Sequence, residues 1–328
     1  MRATLAAQAY AQNGLVTRTQ ALMADYTERE LRTLLKPGGA WCTVRRGVYA
    51  DAREWAGLDT DERYRRSVGA VLLNGHQHLI ASCSSAAAIG GAGQLHETMQ
   101  RVHVIGTQTD GTRAENGVQY HRGPVPPEQI VRSAYGLATN LPRSAADVAR
   151  SYGFRNGLVV ADHALRTGHS REELADVVDG MRGWPGVTKA RPLIAAADAG
   201  AANVGETLLR VIVSELGFGW PQTQFEVRDG GKVAYVDLRL GLHLFEFDGL
   251  QKYQRDFAAQ QGRTPSEVVV EEKRREDWVR AATGMGMSRV VWDECLSPHA
   301  VERCRARLRA DVQKTIDRVG IKAWMAAL

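Results

Sequence analysis

The spacing of apolar residues changes along the chain, and these changes divide it into three regions. In the first region, Leu31, Leu34 and Leu35 recur at the spacing of a helix face that packs on a core. A longer middle region has mostly helical spacing, with one strand pattern over 101–105. The last region combines an amphipathic helix with alternating strand patterns. The chain is therefore predicted to be an α+β multidomain protein with a mainly helical middle region, divided at 1–60, 61–200 and 201–328.

Two short helices with clear start signals are predicted in the first region. Thr17 with Gln20, and Thr27 with Glu30, match the capping box, in which the first side chain and the fourth bond each other's backbone N–H groups. Both helices are therefore expected to begin directly after these threonines.

A short β-ribbon with a basic tip is predicted after the helices. Strand-forming residues flank Arg45, Arg46 and the glycine that follows them. Helix, helix and ribbon in this order are typical of a winged helix. Segments 14–18 and 45–50 resemble the winged-helix domain of AbiE-type antitoxins.

This resemblance implies DNA as a partner, and an antitoxin also implies a cognate toxin protein. Such a module would place the helix over 27–36 in a major groove and the ribbon tip on phosphates. Winged helices also dock proteins, and an exposed arginine is usually only solvated, so a protein-docking role stays open. The predicted DNA-binding residues are Arg29, Arg32, Lys36, Arg45 and Arg46.

Composition is that of an ordinary globular protein. The 328 residues are 44% hydrophobic and 24% charged, and the net charge of +5 permits a phosphate-rich partner without requiring one. The four cysteines are scattered, which argues against a disulfide framework and a zinc knuckle. No stretch of about 18 apolar residues occurs. A cytoplasmic protein without a membrane partner is predicted.

Two carboxylates, Asp237 and Glu246, carry the most specific chemical signal. Both lie in strand patterns, and Gly241 and Leu242 between them can close a tight hairpin. That turn pairs Asp237 with Glu246, with Cβ atoms roughly 4.5–5.5 Å apart, where like charges destabilise a sheet. A shared divalent cation or a raised pKa on one carboxylate would relieve the repulsion.

Ordinary ion pairs are the competing interpretation of the same residues. Asp237 can pair with Arg239 or Lys252, and Glu246 can pair with Lys273, without any bound ion. On the residues alone, this alternative is as well supported as a metal site.

The order of motifs in the last region resembles the PD-(D/E)XK nuclease fold of restriction endonucleases. It is closer still to proteins with a very-short-patch-repair-like endonuclease domain. The matching motifs are Gly-Glu at 205–206, Val-Asp at 236–237, Glu-Phe-Asp-Gly at 246–249 and Glu-Lys-Arg-Arg-Glu-Asp at 272–277.

The resemblance implies a site for Mg²⁺ or Mn²⁺ that hydrolyses DNA. Asp237 and Glu246 would ligate the ion with the carbonyl of Phe247, and Glu206 would support it. The family places a lysine where this chain has Asp248. Lys252 or Lys273 could supply the cation from a different position, and some nucleases of this fold use a carboxylate instead. The predicted catalytic residues are Glu206, Asp237, Glu246, Asp248, Lys252 and Lys273.

Two functions follow from these resemblances. The first is a DNA-binding protein with a magnesium-dependent endonuclease domain, acting in defence against foreign DNA. The alternative is a non-catalytic antitoxin or transcriptional repressor whose nuclease-like domain is degenerate, which Asp248 at the lysine position favours.

Overall fold

The chain folds into two compact units, Met1–Ala197 and Asp198–Leu328. The structure, a computed structural model, describes residues 1–75, 79–106, 112–249 and 265–328, with side chains in the last range described from 270 onward. Both units contain helices and sheets, so the predicted mixture of the two is confirmed. In these described ranges, no helix has the length and apolar character needed to cross a bilayer.

The first unit begins with short helices around a three-stranded sheet. Its elements are α1 (Ala3–Ala11), β1 (Val16–Thr17), α2 (Arg18–Met23), α3 (Glu28–Leu34), β2 (Trp41–Arg45), β3 (Val48–Asp51) and α4 (Ala52–Gly57). The sheet order is β1-β3-β2, and both pairings are antiparallel. Thr17 and Thr27 form the predicted capping boxes of α2 and α3. Leu31 of α3 packs into a core with Leu5 and Trp41.

A six-stranded sheet follows in the same unit. Its elements are α5 (Thr60–Asn74), β4 (Ile80–Ala81), α6 (Cys83–Ile89), β5 (Val102–Ile105), β6 (Arg113–Glu115), β7 (Val118–His121), β8 (Ile130–Ser133) and β9 (Gly136–Thr139). The strand order is β6-β7-β5-β4-β9-β8, with β4–β9 and β5–β7 parallel. Val68 of α5 and Ala86 of α6 pack against Val104 and Val118 of the sheet.

The prediction of a mainly helical middle region omitted most of this sheet. Only β5 was expected, over 101–105. The other strands have two to four residues, and β6 is exposed at every position, so the sequence carries no alternating pattern there. Helices do dominate after the sheet: α7 (Leu141–Tyr152), α8 (Phe154–Arg166), α9 (Arg171–Gly180) and α10 (Arg191–Ala196).

The second unit is built on a four-stranded mixed sheet. Its elements are α11 (Val204–Ser214), β10 (Gln222–Asp229), β11 (Lys232–Leu240), β12 (His243–Asp248), α12 (Pro265–Thr283), β13 (Gly286–Val291), α13 (Pro298–Val319) and α14 (Ile321–Ala326). The order is β10-β11-β12-β13. The first three strands are antiparallel, whereas β12 and β13 are parallel. A parallel pair needs a crossover connection, and α12 lies in it.

The β11–β12 hairpin has the predicted register. Leu238 pairs with Phe245, and Leu240 pairs with His243. Gly241 opens the turn with φ +57°, a conformation that glycine adopts without steric cost. Val236 and Leu238 of β11 and Leu244 and Phe245 of β12 are fully buried, which fixes the register because a slip of one residue would move these side chains out of their places in the core.

Candidate functional site

Asp237 and Glu246 lie on the same side of the β11–β12 hairpin. The antiparallel ladder between these strands ends at the pair of Leu238 with Phe245, and the two acids are the next residue of each strand beyond it. At that position the Asp237 carboxylate accepts a hydrogen bond from the backbone N–H of Phe247, with an N···Oδ2 distance of 2.7 Å. Both acids line one cleft of about 190 Å³. The structure therefore brings together the two residues that the sequence singled out.

Two arginines hold the Glu246 carboxylate. The residue is only 5% exposed. Its Oε1 is paired with Arg275 of α12, and its Oε2 lies 3.1 Å from Nη2 of Arg289 of β13. Burying a charge is costly unless opposite charges compensate it, and here two guanidinium groups do so.

Glu272 of α12 extends this ion-pair network. Its Oε1 lies 3.1 Å from Nη2 of Arg275 and 2.7 Å from Nη2 of Arg289. Arg289 also pairs with Glu276, its Nε lying 3.2 Å from Oε2. Arg275 is therefore shared between two glutamates, and Arg289 among three. The cleft is lined by four acids, Asp237, Glu246, Asp248 and Glu272, and by these two arginines, so its lining is acidic.

Glu206 lies in the first turn of α11 and is 6% exposed. Its carboxylate accepts hydrogen bonds from the backbone N–H of Ala202 at 2.7 Å and from the side-chain amide of Asn203 at 2.6 Å. Gln224 of β10 also donates to it, at 3.4 Å. Carboxylates are stabilised at a helix N-terminus by the free N–H groups and the helix dipole. These hydrogen bonds fix the position of the Glu206 carboxylate.

Gly205 explains the Gly-Glu start of this helix. A Cβ atom on this residue would lie 2.0 Å from the ring of Phe247, a distance that real side chains do not tolerate. Because Gly205 has no side chain, the N-terminus of α11 can pack directly against the end of β12. This close packing brings Glu206 toward the carboxylates of the hairpin.

The pKa values of Asp237 and Glu246 are shifted by burial and by the charges around them. Burial raises the pKa of Asp237 to about 6, and the negative charge of Glu206 contributes to the increase. The hydrogen bond from Phe247 and the charge of Arg275 act in the opposite direction. Burial also raises the pKa of Glu246, although Arg275 and Arg289 oppose that change. The predicted raised pKa is therefore present, most clearly on Asp237.

Two of the ion pairs predicted from the sequence, Asp237 with Arg239 and Glu246 with Lys273, do not occur, whereas the pair of Asp237 with Lys252 involves a residue outside the described ranges. Arg239 donates its Nε–H to the carbonyl of Gly241, 2.9 Å away, and not to Asp237. Lys273 is exposed on α12 and pairs with no carboxylate among the described residues. Arg275, two positions further along the same helix, makes the contact with Glu246 instead.

The remaining predicted catalytic residues have different outcomes. Asp248 lines the cleft with Asp237 and Glu246. Lys252 lies outside the described residues. In the described part of the chain, no three His, Cys, Asp or Glu side chains are arranged to hold a metal ion. The carboxylates have the oxygen chemistry that Mg²⁺ prefers, but both oxygens of Glu246 are occupied by guanidinium groups, so Glu246 could ligate an ion only after one of these arginines has moved away.

The predicted DNA-binding residues lie in the first unit. Arg29, Arg32 and Lys36 are exposed on α3 and just beyond its end. Arg46 is exposed at the ribbon tip. Arg45 is partly buried, because its Nη1 donates to the carbonyl of Asn116 at 3.2 Å.

The ribbon tip borders a groove of about 840 Å³ that Arg18, Arg45 and Arg46 line together. On its far side the side-chain amide of Asn74 donates to the backbone carbonyl of Arg46 at 2.9 Å. This contact holds the tip against α5. The basic residues of the ribbon therefore lie on a supported surface.

No protein-family model matches the chain. The uncharacterized proteins MT2308 of Mycobacterium tuberculosis (strain CDC 1551 / Oshkosh) and Rv2248 of Mycobacterium tuberculosis (strain ATCC 25618 / H37Rv) are each similar to it, with 28% identity over 213 residues. The aligned part covers 64% of this chain and 73% of each relative. These similarities carry no activity with them, so the function has to be argued from the geometry of the site.

Sequence reasoning missed the arginines of the site. Arg275 lies inside the motif at 272–277, but the nuclease pattern that this motif resembles uses a lysine, and Lys273 is the lysine of that segment. Arg289 opens a buried strand pattern and carries no motif of its own. The signal that could have found it is an arginine in an otherwise apolar strand, which needs a buried partner.

Proposed function

We propose that this protein binds DNA and that its second unit is a metal-dependent DNA endonuclease domain of restriction-endonuclease-like architecture. The observation that carries the proposal is the meeting of Asp237 and Glu246 in one cleft, under the electrostatic influence of Glu206. The order of elements supports it: α11, a three-stranded antiparallel sheet, α12, then a parallel strand. Defence against foreign DNA is the setting that we propose for this activity.

The arginines have a defined role in this proposal. Mg²⁺ or Mn²⁺, when bound, would activate water and stabilise charge on the scissile phosphate. Because Glu246 is paired through both oxygens, Arg275 has to move away before an ion can bind there. A guanidinium released beside the cleft is suited to bind a phosphate, since its planar donors match two phosphate oxygens. Arg275 would then exchange one anion for another.

A cleavage assay tests the proposal. The full chain is incubated with supercoiled plasmid, linear duplex and single-stranded DNA in Mg²⁺ or Mn²⁺. We expect Asp237→Asn to abolish cleavage, whereas Asp229→Asn retains it, because Asp229 is exposed at the end of β10 and does not line the cleft. If the wild type and Asp237→Asn cleave none of these substrates, the enzymatic part of the proposal is wrong.

For the first unit we propose a winged-helix domain over 1–60 that contacts DNA through α3 and the ribbon tip. What supports it is the order of helix, strand, two helices and ribbon, with exposed basic residues on both elements. We also propose that the middle region, 61–200, is a separate domain and that the nuclease-like domain spans 201–328.

A second candidate function is a non-catalytic antitoxin or transcriptional repressor that also docks a toxin protein. Two observations favour it: both oxygens of Glu246 are bound by arginines, and Asp248 lines the cleft where the related nucleases place a lysine. A calorimetric titration with Mn²⁺ separates the two functions. A site in the wild type that Glu246→Ala weakens supports the nuclease, whereas absence of any site supports the repressor.

A further inference from the structure

A second candidate site lies within the first unit. It is a cavity of about 430 Å³, within the range of roughly 300–1,000 Å³ that is usual for small-molecule sites. Its walls combine cations, hydroxyl groups and one aromatic ring. The residues that matter here are Ser82, His121, Arg122, Arg143, Arg150 and Trp184.

The cavity has an excess of positive charge. Arg143, whose side chain is 3% exposed, donates from Nε to Asp147 at 2.9 Å and from Nη1 to Gln129 at 2.7 Å. Arg150 donates from Nη1 to the same aspartate at 2.7 Å and from Nε to the carbonyl of Pro185 at 2.9 Å. One carboxylate thus serves two guanidinium groups. Among the described residues, Nη2 of each arginine has no acceptor.

The two guanidinium groups are held in place by an aromatic ring. The Cζ atoms of Arg143 and Arg150 each lie 4.9 Å from the ring centroid of Trp184. Cation–π contacts of this kind fix the planar groups in one orientation. The donors are therefore preorganised, which lowers the entropy cost of binding a ligand.

The hydroxyl group of Ser82 has no partner. The residue is 1% exposed, and in the described part of the chain nothing accepts from or donates to its Oγ. Leaving a buried hydroxyl unbonded costs about 1–3 kcal/mol. A ligand oxygen in the cavity would remove this cost.

His121 adds a neutral polar group to the wall. Its Nε2 lies 2.8 Å from Nδ1 of His103, whose Nε2 lies 2.7 Å from the hydroxyl group of Tyr152. Burial lowers the pKa of both histidines, so the imidazoles stay neutral near pH 7. The chain of hydrogen bonds allows the remaining nitrogen of His121 to be a donor when Tyr152 donates inward.

We propose that this cavity binds a small organic phosphate. A phosphate group offers several oxygens to the spare donors of Arg143, Arg150 and Ser82, and Arg122 at the exposed rim adds a further positive charge. The charged walls disfavour an apolar ligand, and the excess of arginines disfavours a cation. The tetrahedral geometry of phosphate favours it over a planar carboxylate, because its acceptors point in three directions.

Isothermal titration calorimetry on the full chain tests the proposal, with inorganic phosphate and adenosine 5′-monophosphate as probes. Adenosine and citrate are the comparison ligands. We expect saturable binding of the phosphate probes and none of adenosine. Binding of citrate alone, or no binding of either phosphate probe at millimolar concentration, would overturn the proposal.

Three variants show whether binding takes place in this cavity. Arg122→Gln should weaken phosphate binding about tenfold, because one charge-assisted hydrogen bond to the phosphate is lost. Ser82→Ala should weaken it as well without harming the fold, because the folded protein uses no bond from that hydroxyl. Arg132→Gln is the matched control, since Arg132 is exposed on β8 and does not line the cavity. Equal affinity in all three variants would show that the phosphate binds elsewhere.

Discussion

Replacing Asp237 with asparagine should stabilise the protein at neutral and higher pH. The pKa of this carboxyl group is 3.8 in the unfolded chain and about 6 in the folded protein. A raised pKa means that the protonated form stabilises the fold fully below the unfolded value, and that this contribution is lost as pH rises through about 6. Each pKa unit corresponds to about 1.4 kcal/mol, so the ionised group costs roughly 3 kcal/mol.

Asparagine at position 237 removes the negative charge but keeps an oxygen that can accept a hydrogen bond. Its carbonyl oxygen can still accept the hydrogen bond from the backbone N–H of Phe247. Because Asp237 is partly exposed to solvent, which screens its charge, we expect a gain of about 1–3 kcal/mol at ~pH 8. Near ~pH 4 the wild-type carboxyl is protonated in the folded state, so the two proteins should differ little.

Urea denaturation of both proteins at the two pH values measures this difference, with Asp229→Asn as the control for loss of an exposed charge. Active sites commonly trade stability for function in this way. If the variant is no more stable than the wild type at the higher pH, burial and the charge of Glu206 do not destabilise the ionised Asp237 carboxylate. Added Mg²⁺ should stabilise the wild type and leave Asp237→Asn unchanged.

Three further perturbations test other parts of the molecule. The double variant Arg45→Ala/Arg46→Ala should bind DNA more weakly, and the slope of log K against log salt concentration should become shallower by up to about two, because two phosphate contacts no longer release counterions. An unchanged slope would show that these arginines do not contact DNA phosphates. Arg275→Gln should raise the affinity for Mn²⁺ about tenfold, because it frees the Glu246 oxygen that Arg275 binds. Arg274→Gln is the control at an exposed arginine, and equal Mn²⁺ affinity in the two variants would contradict the prediction. Gly241→Ala should destabilise the second unit by about 1–3 kcal/mol, because residue 241 has a φ of +57° and the added Cβ would lie 2.9 Å from the buried indole ring of Trp324. Thermal unfolding measures this, and an unchanged melting temperature would contradict it.

The hairpin could be predicted from the sequence because its signals are local. Gly241 opens a two-residue turn, and the alternation of buried positions on both sides sets the register. Once the register is known, Asp237 has to lie opposite Glu246. The capping boxes at Thr17 and Thr27 also depend only on neighbouring residues, and the structure confirms both.

The partners of the acids could not be predicted, because they come from distant segments. Arg275 reaches Glu246 across 29 positions in the chain, and Arg289 reaches it across 43. No periodicity or motif encodes which side chain of α12 faces the sheet when its neighbours are also charged. The six-stranded sheet was missed for a related reason, since its strands are too short to carry an alternating pattern.

The parallel pairing of β12 with β13 has a consequence for how the protein matures. In this register Glu246 lies beside Arg289, so the acid acquires that counter-charge only after the sheet has received its fourth strand. Contacts between distant segments form slowly, because the intervening chain must first be ordered. A chain in which β13 has not yet paired with β12 therefore carries Glu246 without the counter-charge of Arg289, so we expect the acidic cleft to gain its full set of ion pairs only when this strand joins the sheet.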